Sequence, residues 1–126
     1  RVLIQDNRFE YAGFDNPYGG GSAPRAILIL DEIQDLTVRH NEWHGNFKNQ
    51  VVFEGSGKTN FVFENNIIAE ANYGFQNAAN LESMAPGAVV TGNILAPAAW
   101  NTSLPSGNCI VWPASSATGC SAAGRR

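Results

Sequence analysis

Charge is scarce in this sequence, with 15% of residues charged against roughly a quarter in an average soluble protein. Only two lysines are present, and the net charge is −3. That balance argues against a nucleic-acid groove or an anionic membrane surface as partner, because both are held chiefly by Lys and Arg. Long apolar runs are missing as well, and no stretch of 18 residues could form a transmembrane helix. Cysteine is limited to Cys109 and Cys120, with ten residues between them. A bridge closing that loop would contribute about 3 kcal/mol on chain-entropy grounds. Two free buried thiols are the alternative; the bridge would imply an oxidising compartment, secreted, periplasmic or cell-surface. Asn and Gly fill the space that charge has left, 14 and 13 residues of 126. Asn competes for backbone hydrogen bonds and Gly loses backbone entropy, so the mixture disfavours helices and suits a chain that turns often.

Self-similarity organises the rest. Val2-Leu3-Ile4-Gln5-Asp6-Asn7-Arg8-Phe9 aligns with residues 36–43, 61–68 and 88–95, and Asn7, Asn41, Asn66 and Asn93 share one column at intervals of 34, 25 and 27 residues. Apolar residues at i and i+2 before the Asn form a half-buried strand, and the Asn column is expected to supply the bend into a second short strand. A repeat of that length built from short strands is one turn of a β-solenoid. A third strand is expected at Ala26–Leu30, Gln50–Phe53, Tyr73–Phe75 and Cys109–Trp112, with turns at Gly55-Ser56-Gly57 and Ala85-Pro86-Gly87. The longer first interval is accounted for by a loop at Gly13–Arg25.

With these repeats, residues 2–112 resemble the right-handed parallel β-helix superfamily of pectate lyases and related bacterial repeat proteins. The expected fold is all-β: a right-handed parallel β-helix of about four coils with an Asn ladder. It forms a single domain over 1–126, with coils starting near 2, 36, 61 and 88 and a C-terminal cap at about 108–126. The superfamily carries lyases, hydrolases, epimerases, tailspikes and adhesins, so activity must be read from the outward residues.

Alternation directs Val2, Ile4, Leu36, Val38, Phe61, Phe63, Ala88 and Val90 inward, with Phe9, Trp43, Ile68 and Leu95 stacked beyond the bend. The outward columns place Arg39 one coil from Glu64 and Arg8 one coil from Glu42, and opposite charges on neighbouring rungs are expected to pair. His40 and His44 are expected as bend and surface residues, and Tyr18 and Trp100 as aromatics in or near loops. The catalytic candidates, for a lyase or hydrolase reading, are Arg39, His40, Glu42 and Glu64, since a lyase needs a base and a hydrolase two carboxylates. Tyr18 and Trp100 are the candidates for stacking on sugar rings. No acidic column offers a calcium site, no metal or other cofactor is expected, and Gly57-Lys58-Thr59 lacks the first Gly of a phosphate loop.

The first strand starts at residue 2 and leaves Val2, Ile4 and Phe9 at an open edge. The chain therefore reads as the closing coils of a larger extracellular β-helix, the residue 1–9 end covered by N-terminal coils or by another chain. Its expected role is structural or polysaccharide-binding. A lyase or hydrolase sited around Arg39 and Glu64, and a non-catalytic adhesin or appendage solenoid, are the alternatives.

Overall fold

The computed structural model describes residues 1–11, 25–45, 47–69, 71–100 and 104–110. Among the described residues thirteen strands form three parallel sheets; β1 to β12 visit the sheets in turn, and β13 returns to the second. Sheet A contains β1 (Val2–Gln5), β4 (Leu36–Arg39), β7 (Val62–Glu64) and β10 (Val89–Thr91). Sheet B contains β2 (Arg8–Tyr11), β5 (Glu42–Gly45), β8 (Ile67–Ile68), β11 (Ile94–Leu95) and β13 (Cys109–Ile110). Sheet C contains β3 (Arg25–Ile29), β6 (Phe47–Phe53), β9 (Ala71–Gln76) and β12 (Ala98–Trp100). The arrangement is compatible with a β-solenoid. No helix among the described residues is long and apolar enough to cross a membrane.

Register follows the repeats. Leu3, Thr37, Val62 and Val89 lie side by side, as do Gln5, Arg39, Glu64 and Thr91. Between the sheets lies an apolar core whose centre is aromatic: Phe53 and Phe61 at 5.1 Å, Phe61 and Phe63 at 6.4 Å, with Phe75 edge-on to Phe63. Offset and edge-to-face rings add to the gain from burial alone. Phe9 stacks on Trp43 at 5.0 Å, yet stays 39% exposed because β2 is an edge strand.

Every connection from sheet A to sheet B is two residues long. Its first residue takes a left-handed conformation: Asp6, His40, Asn65 and Gly92, with Gly107 in the same place before β13. The second residue is the recurrent Asn. The expectation that this Asn itself makes the left-handed bend is therefore corrected by one position. Freed from that conformation, its amide reaches along the stack. Nδ2 of Asn7 donates to Oδ1 of Asn41 at 3.0 Å, Asn41 to Asn66 at 3.2 Å, Asn66 to Asn93 at 2.9 Å and Asn93 to Asn108 at 2.7 Å. The same oxygens also accept the backbone N–H of the preceding Asn. Asn41, Asn66 and Asn93 are buried, so this pairing satisfies groups that would otherwise be costly.

Cys109–Ile110 pairs with β11 in sheet B, not with the third strand of each turn, because Asn108 occupies the bend before it. The fourth strand of sheet C is Ala98–Trp100, which puts Trp100 at a strand end and not in a loop. A 3₁₀ turn (Ala78–Asn80) and a one-turn helix α1 (Leu81–Met84) fill the third connection from sheet C to sheet A, which the strand pattern did not signal. The connecting residues 12–24 and the segment 111–126, including most of the expected loop and cap, lie outside the described residues.

Candidate functional site

The most chemically varied outward surface is on sheet C. Arg25, Asn49, Tyr73 and Trp100 occupy one register column, one residue from each of the four strands, with Asn49 buried, Tyr73 half-buried and the two end residues exposed. Arg25, Lys48, Asn49, Glu54, Tyr73 and Gln76 line an open groove of about 260 Å³. Its polar side chains brace one another: Gln76 Nε2 donates to Glu54 Oε1 at 2.9 Å, and Asn49 Nδ2 to Gln76 Oε1 at 3.5 Å. Trp100, 63% exposed, sits one rung beyond Tyr73, about 4.8 Å away along the sheet. Cationic, amide and aromatic groups thus follow one another across four rungs. Such a row can offer ring faces to apolar C–H surfaces and donors to hydroxyl or carboxylate oxygens.

Tyr73 was not singled out as a binding residue by the sequence pattern. The signal was present, however: Tyr73 and Trp100 are 27 residues apart, the interval that separates Asn66 from Asn93. Tyr18, the other residue expected to bind sugar, lies outside the described residues.

The four catalytic candidates are divided between surfaces. Arg39 and Glu64 are neighbours in register on sheet A, His40 is in the bend, and Glu42 is on sheet B. The expected ion pairs are not made. Arg39 Nε donates to Gln5 Oε1 at 2.9 Å, the carboxamide on its other side capturing the guanidinium. Arg8 is in register with Glu42, but its Nε lies 2.7 Å from Glu10 Oε1. Glu42 in turn meets His44, with 3.0 Å between Oε2 and Nε2. Residues two apart share a strand face, and here the same-strand partner wins over the cross-rung partner. His40 Nδ1 is 3.8 Å from Asp6 Oδ1, a weak contact at an exposed bend.

Lys58 is the polar residue whose placement the sequence conceals most. Its side chain is fully buried at the corner between sheets C and A, where Nζ donates to the Glu54 carbonyl and lies 4.8 Å from the centre of the Phe53 ring. Burial lowers its pKa below the ordinary 10.5, and the negative charge of Asp31 opposes that shift. Of Gly57-Lys58-Thr59 only Lys58 turns into the interior, its two neighbours staying exposed.

Among the described residues no cluster of three or more His, Cys, Asp or Glu could hold a metal ion. Cys109 begins β13; its expected bridge to Cys120 falls on a residue outside the described ones. No known protein family matches the chain, and neither a curated protein nor a solved structure is significantly similar to it.

Proposed function

We propose that the chain is part of an extracellular right-handed parallel β-helix of the pectate-lyase-like kind, and that it binds polysaccharide without cleaving it. The observation that carries this reading is the register of Trp100 on Tyr73, continued by Asn49 and Arg25. A rung spacing of about 4.8 Å is close to the length of one sugar ring, so a chain lying across the strands would meet Trp100 and Tyr73 on successive rungs and Arg25 two rungs on, past the buried Asn49. The division of Arg39, His40, Glu42 and Glu64 between two sheets and a bend favours binding over a lyase or hydrolase centre built from them. Affinity electrophoresis against neutral and uronic-acid polysaccharides tests the reading. Retardation by at least one polymer is expected, with Trp100→Ala and Tyr73→Ala each weakening it about tenfold. Release of new chain ends from any polymer, or no retardation by any, defeats it.

The edge formed by β1, β2 and β3 bears on the partner. Val2, Leu3 and Leu28 are 53%, 51% and 43% exposed there. Among the described residues nothing donates to Asn7 Oδ1, although every later amide oxygen of the series accepts two hydrogen bonds. Both features fit a further parallel turn ending in an Asn bend, from N-terminal coils or another chain. For the oxidising compartment, the expected outcome is that alkylation without reduction labels neither Cys109 nor Cys120.

A further inference from the structure

On the outer face of sheet B, two columns change character along the stack. One runs Arg8, Glu42, Ile67, Ile94; beside it run Glu10, His44 and, one and two turns further on, Ala69 and Ala96. Charge fills the first two rungs and hydrocarbon the next two. At the junction is a pocket of about 180 Å³ lined by Trp43, His44, Ile67, Ala69, Ile94 and Ala96, with Ile68 beneath. Its depth comes from the two alanines, which leave room between isoleucine walls. Its floor is anchored from the core side: the buried Gln50 donates from Nε2 to the carbonyls of both Ala69 and Ala96, at 2.9 and 2.7 Å. That tie across two turns fixes the pocket's backbone, so little ordering remains to be supplied by a ligand.

The polar end is a single oriented group. A carboxylate only accepts, so His44 Nε2 is the donor in the 3.0 Å contact with Glu42, and Nδ1 is the ring nitrogen left for a ligand. Glu42 also disfavours a ligand carboxylate at the same end. The pocket thus combines an apolar slot of about 180 Å³ with one imidazole in its lining.

We infer that this pocket binds a small uncharged phenol, with the ring over Ala69 and Ala96 and the hydroxyl donating to His44. The site is separate from the groove on sheet C and does not depend on it. The test is a titration of the protein with p-cresol, followed by the methyl resonances of Ile67, Ala69, Ile94 and Ala96, with toluene and p-toluate as controls. Saturable shifts at those methyls are expected for p-cresol, with toluene about tenfold weaker for want of the hydrogen bond. Binding of p-toluate is expected to be weaker still. His44→Ala should bring p-cresol down to the toluene level, and Ala69→Leu should fill the slot and abolish both. Circular dichroism checks that each variant folds; should Ala69→Leu fail to fold, the map of shifts in the unaltered protein decides. Equal affinity for p-cresol and toluene, shifts centred on other residues, or no saturation at all overturns the inference.

Discussion

Two corners of the same coil are built on opposite plans. The corner between sheets A and B has two residues in every turn and is closed by one repeated amide. The corner between sheets C and A spans residues 30–35, then 54–61, then 77–88, and each version is closed differently. Asp31 faces Gly55 in the first two, a buried lysine fills the second, and a short helix the third. Where like atoms stack, a single residue type can satisfy every rung, and any change in length would break the stack. Where each rung has its own contacts, length is free to vary, but each turn needs its own solution for buried polar groups.

The sharpest way to break the regular corner is Asn66→Leu. It leaves the Asn41 N–H and the Val38 carbonyl without this partner in a buried place and takes one of two donors from Asn93 Oδ1, while the Asn41 amide keeps the Ile4 and Arg39 carbonyls. A loss of about 3–5 kcal/mol is expected from several orphaned groups acting together, read as a fall in the urea midpoint. An alanine scan of two glycines sharpens the contrast. Gly92 and Gly87 both have positive φ, but a Cβ on Gly92 would lie 2.2 Å from Asn65 Oδ1, whereas one on Gly87 meets nothing within 4 Å. Gly92→Ala is expected to cost about 2 kcal/mol and Gly87→Ala about 1 kcal/mol, the latter from the backbone alone.

Lys58→Met tests the irregular corner with the opposite sign. Removing a buried ammonium while keeping its volume should stabilise the fold by about 1 kcal/mol at neutral pH, seen as a raised Tm. The folded pKa is lowered, so the unfolded chain binds more protons between the folded value and 10.5. The penalty on the parent protein is complete below the folded pKa and fades as pH rises through that window. The gap between the parent protein and Lys58→Met should therefore narrow in alkali. Asn7→Leu completes the series with the smallest effect, about 0.5–1 kcal/mol, because that amide is exposed and only Asn41 Oδ1 and the Gln5 carbonyl lose a donor.

The register of sheets A and B was legible because apolar alternation and the recurrent Asn fall at matching offsets, and a slip of one residue would turn Val38 or Phe63 outward. Sheet C was legible only as apolar centres, Ala26–Leu30 for a strand that runs Arg25–Ile29 and Gln50–Phe53 for one that runs Phe47–Phe53. Its polar ends carry Arg25 and Asn49, and hydropathy is silent about them. Lys58 was hidden because its four-carbon stem packs like a hydrocarbon while its charge reads as surface. The two ion pairs expected across rungs failed for different reasons: alternation brings residues i and i+2 onto one face, as it does Arg8 with Glu10 and Glu42 with His44, whereas Arg39 is held by Gln5 on the rung opposite Glu64.

The chain of amides has a direction. From Asn7 to Asn93 each amide-to-amide link runs from Nδ2 to the Oδ1 of the next turn, so the links share one sense and each polarises the next, while the second N–H of the buried amides returns to a carbonyl of the preceding turn. Such a column distinguishes its two ends as a zip distinguishes slider from stop. A turn arriving at the Asn7 end in reversed orientation would set oxygen against oxygen, whereas one arriving in the same sense would find an acceptor waiting. The column thereby carries a sense of orientation of its own, beside that of the hydrocarbon beneath it.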